Sequence, residues 1–114
     1  MTDTVDTDAV VVITNLPDRE TAMKLAQTLV EKRLAACVNV LAACASVYRW
    51  KEEIETAQEV PLLIKTRAAL YSEVEAVIRG HHPYELPEII AVSVMRGFPG
   101  YLDWVTVETT VSIG

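Results

Sequence analysis

Long apolar runs and clusters of basic residues are both missing from this sequence. The longest apolar segments have the length of a strand and are interrupted by charge, so no transmembrane helix is predicted. Lys and Arg number 10 against 16 Asp and Glu, and a net charge of −6 disfavours nucleic acid as a partner. The N-terminus lacks the basic region and apolar core of a signal peptide. We therefore expect a cytoplasmic protein with no membrane or nucleic acid partner.

Cysteine is scarce as well, with only Cys37 and Cys44 present. The two lie an odd number of residues apart on one candidate strand, so a regular strand directs them to opposite faces. Their spacing matches no zinc-binding pattern, and neither is beside an evident base. We expect two small buried thiols that do not form a disulfide with each other.

Familiar catalytic patterns are absent too. The sequence has no nucleophile with a neighbouring base, no glycine loop that would cradle phosphate, and no paired-carboxylate motif. The prediction is that this protein is not an enzyme.

What the chain does have is a high apolar content, with 51% hydrophobic residues and a mean hydropathy of +0.24. Its 114 residues predict one domain. Residues 1–8 hold three Asp and three Thr without periodicity, which predicts a disordered acidic tail and leaves 9–114 as the single domain. The apolar surplus favours additional burial between subunits.

Two long extended segments, residues 37–50 and 54–66, are joined at a charged turn. Both faces of the first segment are largely apolar, which predicts cover on both sides. A straight strand of that length would run roughly 45 Å, whereas a domain of this size has a radius of gyration of about 13 Å. The hairpin tip should project from the core unless a bulge bends it, and its exposed apolar side chains predict an obligate oligomer. These side chains are Val47, Tyr48, Trp50 and Ile54.

The flanking segments show helical and strand periodicity. A β-branched run at 10–14 predicts a buried strand, and an amphipathic helix with Asp18 as its N-cap follows it. After the hairpin, apolar residues at helical spacing up to Ile78 predict a second helix that ends at Gly80 in a left-handed cap.

The remaining elements complete an α+β pattern. A strand over 89–95, a short helix over 101–108 and a terminal Thr/Val segment that fits a strand follow the second helix. The order predicts a ferredoxin-like split βαβ fold (βαββαβ) with an antiparallel sheet and a short C-terminal helix extension. Right-handed crossovers place the first and third strands in the centre. Pro61 lacks a ladder donor, so we expect a bulge there or an N–H position that faces away from a partner.

Several separated motifs resemble the CutA divalent-cation tolerance family in order and spacing. They occupy residues 31–39, 48–51, 53–55, 59, 65–66, 82–85 and 87–88, and the resemblance extends over residues 10–107. It implies a homotrimer similar in architecture to the PII signalling proteins, with long hairpins around the three-fold axis and a role in the response to metal ions. Two departures are Glu52 with Glu53 where the family often has Gly, and Pro61 where an aliphatic residue is usual.

The polar loop at 81–88 is the candidate metal site. His81, His82, Glu85 and Glu88 supply imidazole and carboxylate groups that suit divalent Cu, Zn or Ni. Alternatively, the loop only caps the helix end and fixes a subunit contact. The resemblance implies a copper site made of a Cys, a His and a Glu; the last two match His81 and Glu88, with His82 and Glu85 as further candidates. Thr14 replaces the Cys, so we expect Cu(II) or Zn(II) rather than Cu(I), and no other cofactor.

A second candidate site combines aromatic rings with polar tips. The resemblance implies that these residues lie near a cleft between subunits, where they would form a small-molecule pocket. The alternative is a purely aromatic subunit interface. The residues are Tyr48, Trp50, Lys65, Tyr84 and Trp104.

Overall fold

The computed structural model describes residues 7–111, which form five strands, three α-helices and one short 3-10 turn. The strands pair antiparallel, and the predicted α+β ferredoxin-like split βαβ fold is confirmed. None of the described helices has the length and apolar character needed to cross a membrane. The elements in chain order are β1 Ala9–Leu16, α1 Arg19–Glu31, β2 Cys37–Val40, β3 Cys44–Trp50, β4 Glu53–Arg67, the 3-10 turn Ala68–Leu70, α2 Tyr71–His81, β5 Ile89–Ser93 and α3 Pro99–Glu108.

The two central strands are β1 and β4, as the crossover rule predicts. The sheet order is β2-β4-β1-β5, and β3 pairs only with the outer half of β4. The register between β1 and β4 runs from Ala9 opposite Arg67 to Leu16 opposite Val60. Beyond Val60, β4 therefore continues past the edge of the main sheet with β3 as its single partner.

One face of the sheet carries the core, which α1 and α2 cover. Alternate residues of β1 and β4 are fully buried there, because the two-residue period of a strand sends them to the same side. Helix α1 begins at Asp18, whose side chain accepts a hydrogen bond of 2.8 Å from the Thr21 N–H. The core residues are Val12, Leu16, Ala22, Leu25, Leu29, Leu34, Ala35, Val60, Leu62, Ile64, Val74 and Ile78.

The opposite face of the sheet is covered only in part. Helix α3 packs on β4 and β1, and its Val105 is buried. Farther along β5, Ile90 is 49% exposed and Val92 is 50% exposed. An apolar stripe on a central sheet is thus open to solvent in the single chain.

The first long extended segment is not one strand: residues 41–43 separate β2 from β3. The interruption lies opposite Pro61, whose carbonyl accepts a 3.0 Å hydrogen bond from the Leu41 N–H. Proline has no N–H, so it cannot donate the second hydrogen bond of this pair to the Leu41 carbonyl. That carbonyl instead accepts a hydrogen bond of 3.5 Å from the Arg19 guanidinium. The nitrogen and carbonyl of one strand residue point to the same side, so the Pro61 nitrogen faces β2. The expectation of an N–H position that faces away from a partner is therefore wrong, and the ladder is interrupted between β2 and β3.

We call the paired β3 and outer half of β4, residues 44–59, the ribbon. It projects as predicted: the chain measures 50 × 37 × 23 Å with a radius of gyration of 15.5 Å. The prediction of cover on both faces is not met within one chain, since Val47 is 68% and Ile54 69% exposed. The ribbon has no third strand among the described residues, so these two side chains stay uncovered in the single chain.

The ribbon turns at Lys51 and Glu52, with φ values of 51° and 69°. Two consecutive residues with positive φ form the type I′ turn that matches the twist of a two-residue hairpin. Neither residue is glycine or asparagine, so the turn carries backbone strain. Glu53, predicted to be part of the connection, belongs to β4.

The predicted helix cap at Gly80 and the predicted burial of the two cysteines also need correction. Gly80 lies inside α2, which ends at His81; His82 is extended because it precedes Pro83. Cys37 is partly buried and Cys44 is exposed, because Cys44 begins the ribbon; both are free thiols as predicted.

The chain ends differ from expectation where they are described. In the predicted acidic tail, the Asp8 carbonyl accepts a 2.7 Å hydrogen bond from the Ala68 N–H and its carboxylate lies 3.7 Å from Arg67, so this residue does take part in the fold. Residues 1–6 lie outside the described part. At the other end, Val111 is not in a strand. The remaining residues of the predicted terminal strand, 112–114, lie outside the part of the chain that the structure describes.

Candidate functional site

A cleft of about 810 Å³ lies between the ribbon and the loop that follows α2. We call it the hairpin cleft. It brings together residues from both predicted sites, since the loop carboxylates and the ribbon aromatics share its walls. The lining residues are Asn15, Ser46, Val47, Tyr48, Arg49, Trp50, Glu55, Glu59, Pro83, Tyr84, Glu85, Leu86 and Glu88.

His82 fixes the loop wall of the cleft. Its Nε2 donates to the Asn15 carbonyl at 2.6 Å, and its Nδ1 accepts from the Tyr84 N–H at 3.2 Å. The side chain is buried, and its ring lies 4.6 Å from the Tyr84 ring, centroid to centroid. Both ring nitrogens are occupied, so His82 positions Tyr84 and has no lone pair left for a metal.

Tyr84 meets a buried carboxylate on the floor of the cleft. Glu59 on β4 is only 8% exposed. Loss of solvation first, and then the charge and hydrogen bond of Glu59, raise the pKa of Tyr84 to about 12. A phenol held in its neutral form is a hydrogen-bond donor toward the carboxylate.

A second pairing of a phenol with a carboxylate lies nearer the ribbon tip. The Tyr48 hydroxyl donates to Glu55 at 3.4 Å across the β3–β4 ladder, where the two residues are directly opposite. Desolvation, followed by the charge of Glu55, raises the pKa of Tyr48 above its ordinary value. Glu55 and Glu59 are four residues apart on one strand and therefore share a face.

The loop carboxylates have separate partners. Glu88 accepts a 3.1 Å hydrogen bond from the Asn15 side chain. Glu85 lies 3.9 Å from the Lys51 ammonium, and that ammonium is also 5.5 Å from the centre of the Trp50 ring. The loop is thus tied to β1 at one end and touches the ribbon tip at the other.

His81 is the more available of the two histidines. It is exposed at the end of α2, and its Nδ1 donates to the Val77 carbonyl at 2.9 Å, which leaves Nε2 as the nitrogen with a lone pair. Even so, within residues 7–111 no three His, Cys, Asp or Glu side chains are placed to share a metal ion. The predicted ligands of the loop therefore do not converge into a complete site in the single chain.

Thr14 is not positioned as a metal ligand would be. Its side chain is fully buried on the core face of β1 with Val12 and Leu16, and Oγ1 has no hydrogen-bond partner among the described residues. The neighbouring Asn15, on the other face, is the residue whose side chain reaches Glu88. A residue at position 14 therefore belongs to the core.

The five residues predicted for the pocket divide into two groups. Tyr48, Trp50 and Tyr84 line the hairpin cleft. Lys65 lies elsewhere and donates to the Asn39 side chain, while Trp104 on α3 stacks near Tyr101 at 5.6 Å between ring centroids. One chain assembles three of the five.

Sequence reasoning did not assign Asn15, Glu55 and Glu59 to a site. Glu55 and Glu59 share a strand face with each other, and the alternation of the ribbon also puts Tyr48 there. That period-two signal was available in the sequence. No sequence signal pointed to Asn15, because its contacts with His82 and Glu88 join residues that are 67 and 73 positions apart.

The fold and the cleft define a class: small α+β proteins with a ferredoxin-like sheet, a projecting ribbon and a carboxylate-lined cleft beneath it. The family model of the CutA1 divalent ion tolerance protein matches residues 10–108. The chain therefore belongs to the CutA1 divalent ion tolerance family.

Individual relatives agree with this assignment. The divalent-cation tolerance protein CutA of Thermus thermophilus is 40% identical over 99 residues, which are 87% of this chain and 96% of that protein. The crystal structure of CutA from Xylella fastidiosa superposes with a TM-score of 0.88 at 42% identity, covering 91% of this chain and all of the other.

The predicted cytoplasmic location is wrong as an inference from this sequence. The CutA of Archaeoglobus fulgidus, with a TM-score of 0.87, 33% identity and coverage of 90% of this chain and 99% of that one, is described as periplasmic. The CutA of Arabidopsis thaliana is described as chloroplastic; it is 37% identical over 89% of this chain and 56% of its own length. Proteins with this fold thus occupy different compartments, and composition does not assign one.

Proposed function

We propose that this protein is a homotrimer that binds a divalent cation at the hairpin cleft and takes part in the response to metal ions. The observation that carries the proposal is the presence of four glutamates on the cleft wall, with one guanidinium as the only basic side chain among the described lining residues. Carboxylates that face one solvent-filled space raise the local concentration of cations. The glutamates are Glu55, Glu59, Glu85 and Glu88.

The donor set favours Cu(II) or Zn(II) over Cu(I). His81, at the end of α2 and outside the cleft lining, offers an imidazole Nε2, and Glu88 offers a carboxylate on the cleft wall; both suit borderline divalent ions, and the cleft lining contains no thiolate. Because no three such side chains of the described residues are placed to share a metal ion, water or a neighbouring subunit would complete the coordination. The affinity is expected to be modest and to weaken in acid, because metal binding requires deprotonated ligands.

Calorimetric titration of the metal-free protein with Cu(II) and Zn(II) tests this proposal. His81→Ala and Glu88→Gln should each weaken binding, whereas Glu73→Gln, an equal loss of charge on the outside of α2, should not. Equal titration curves for His81→Ala and the parent would remove the loop from the site.

Trimer formation is supported by the apolar surface that one chain leaves open. Val47 and Ile54 on the ribbon are more than two-thirds exposed, and Ile90 and Val92 on β5 are about half exposed. Contiguous apolar surface of this kind usually lies at an interface. Light scattering should give the mass of three chains, and Ile54→Glu should lower it. Met23→Glu, at an exposed site on α1, is the matched control and should leave the mass unchanged.

We propose further that the protein acts by binding and not by catalysis. The phenols of Tyr48 and Tyr84 are held neutral beside carboxylates, which makes them poor nucleophiles at neutral pH. A second candidate function of this kind is a PII-like ligand sensor or scaffold. Its support is the aromatic share of the cleft wall, together with a volume that falls within the range of small-molecule sites.

A further inference from the structure

The mouth of the hairpin cleft already holds an alkylammonium group, which belongs to the protein itself. The Lys51 Nζ lies 5.5 Å from the centre of the Trp50 ring and 3.9 Å from a Glu85 carboxylate oxygen. An ammonium between an aromatic face and a carboxylate gains both cation–π attraction and ion pairing. Both charged side chains are more than two-thirds exposed, so this internal contact is weak and readily displaced.

Deeper in the cleft the same combination of groups occurs without a cation. Glu59 is more than nine-tenths buried and lines the cleft beside Tyr84, and Glu55 lies beside Tyr48. Among residues 7–111, no Lys, Arg or His nitrogen is within 4.0 Å of either carboxylate. A buried carboxylate without a counter-charge favours a cationic ligand, because hydrogen bonds from a phenol neutralise no charge.

The walls of the cleft offer different contacts to different kinds of cation. A metal ion bound here would need further donors from water or a neighbouring subunit, because no three acidic, His or Cys side chains of the described chain converge on one point. Aromatic faces add nothing to such coordination. They do attract an organic ammonium, whose methylene groups also gain from contact with the rings of Trp50, Tyr48 and Tyr84.

We propose that the hairpin cleft binds an alkyl polyamine, with one ammonium displacing Lys51 between Trp50 and Glu85 and another beside Glu59. This deepens the ligand-binding function suggested above and rests on the cleft being a binding site. The two ammonium positions are separate, one between Trp50 and Glu85 and one beside Glu59 on β4. A diamine should therefore bind more tightly than a monoamine of equal length.

The test is calorimetric titration of the whole protein, with a chelator present, using hexamethylenediamine, hexylamine and the neutral hexamethylene glycol. The diamine should bind, the monoamine more weakly, and the glycol not measurably. Glu59→Gln should weaken the diamine about tenfold, because it removes a charge-assisted contact. Lys51→Gln should strengthen it about two- to fivefold, because the internal competitor is gone. Glu73→Gln is the control with the same change in net charge.

The outcomes separate this inference from the function on which it rests. Binding of the glycol as tight as that of the diamine would keep the cleft as a site but overturn the polyamine assignment. No binding of any of the three probes would overturn the polyamine proposal alone, because the ligand-sensor function does not require a polyamine, and the metal titrations above test the cation function independently. Weaker binding by Lys51→Gln would also overturn the proposal, since it would make Lys51 a contact and not a competitor.

Discussion

Two buried threonines offer a matched test of the core. Thr14 on β1 and Thr66 on β4 are both fully buried within the central pair of strands. The Thr66 hydroxyl donates to the Leu34 carbonyl at 2.6 Å. The Thr14 hydroxyl has no partner within the described part of the chain. Replacement by valine is close to isosteric at both positions, so the two variants differ mainly in the hydrogen bond.

The two substitutions should have opposite signs. Thr14→Val removes an unpaired buried hydroxyl, whose desolvation costs roughly 1–3 kcal/mol, and should stabilise the protein by about 1 kcal/mol or more. Thr66→Val loses a hydrogen bond and leaves the Leu34 carbonyl without that donor, and should destabilise by about 1–2 kcal/mol. The variants should therefore differ by about 2–3 kcal/mol in the free energy of unfolding.

Unfolding in guanidinium chloride, followed by the fluorescence of Trp50 and Trp104, measures this difference. The protein concentration must be equal in all samples, because the proposed assembly would add to the apparent stability. Loss of stability in Thr14→Val as large as that in Thr66→Val would refute the reasoning. It would mean that the Thr14 hydroxyl is paired in solution, for example with a buried water molecule.

Four further predictions concern single side chains. Absorbance titration should show one phenol that ionises near pH 12, and this transition should be absent in Tyr84→Phe. The raised pKa lets the folded chain keep a proton that the unfolded chain releases, so stability should fall as pH rises from about 10 to about 12. Glu52→Gly should raise the free energy of unfolding by about 1 kcal/mol in denaturant titration, because it relieves the positive φ at the ribbon tip. Asp18→Ala should lower the melting temperature measured by circular dichroism, because it removes the N-cap of α1. The N-cap hydrogen bonds lower the pKa of Asp18, so the stability that Asp18 contributes should be lost as pH falls below about 4. Cys44→Ser should leave stability within about 0.5 kcal/mol in the same assay, because the thiol is exposed.

The sequence predicted the fold well because most of its signals are local. The apolar run at 10–14, the helical spacing after Asp18 and the crossover rule are enough to place β1 and β4 at the centre. Pro61 predicted that one hydrogen bond would be missing from the ladder of its own strand. It did not predict that the facing strand would be interrupted at residues 41–43, because that depends on which β4 groups point toward β2.

The candidate site was harder to predict, because its geometry depends on distant contacts. His81 and His82 look equivalent in sequence, yet one is exposed on a helix end and the other holds the loop to Asn15. The choice between them is made by Pro83, which forces His82 into an extended conformation and turns its ring toward β1. Glu59 likewise meets a distant residue, since it is buried in the cleft beside Tyr84 of that loop.

The register of the ribbon determines which side chains face the cleft, and it therefore matters for both the proposed assembly and the proposed ligand binding. Because side chains alternate along β4, Glu55 and Glu59 share the cleft face while Ile54 lies on the other face. A slip of one residue would turn the carboxylates outward and bring Ile54 into the cleft. Two features oppose such a slip: the two-residue turn at Lys51 and Glu52 fixes the tip, and Pro61, which cannot donate to the ladder, ends the pairing of β2 at the base. The strained turn and the proline, both unusual for their positions, therefore define which face of one strand would meet the proposed ligand and which would be left for the proposed neighbouring chain.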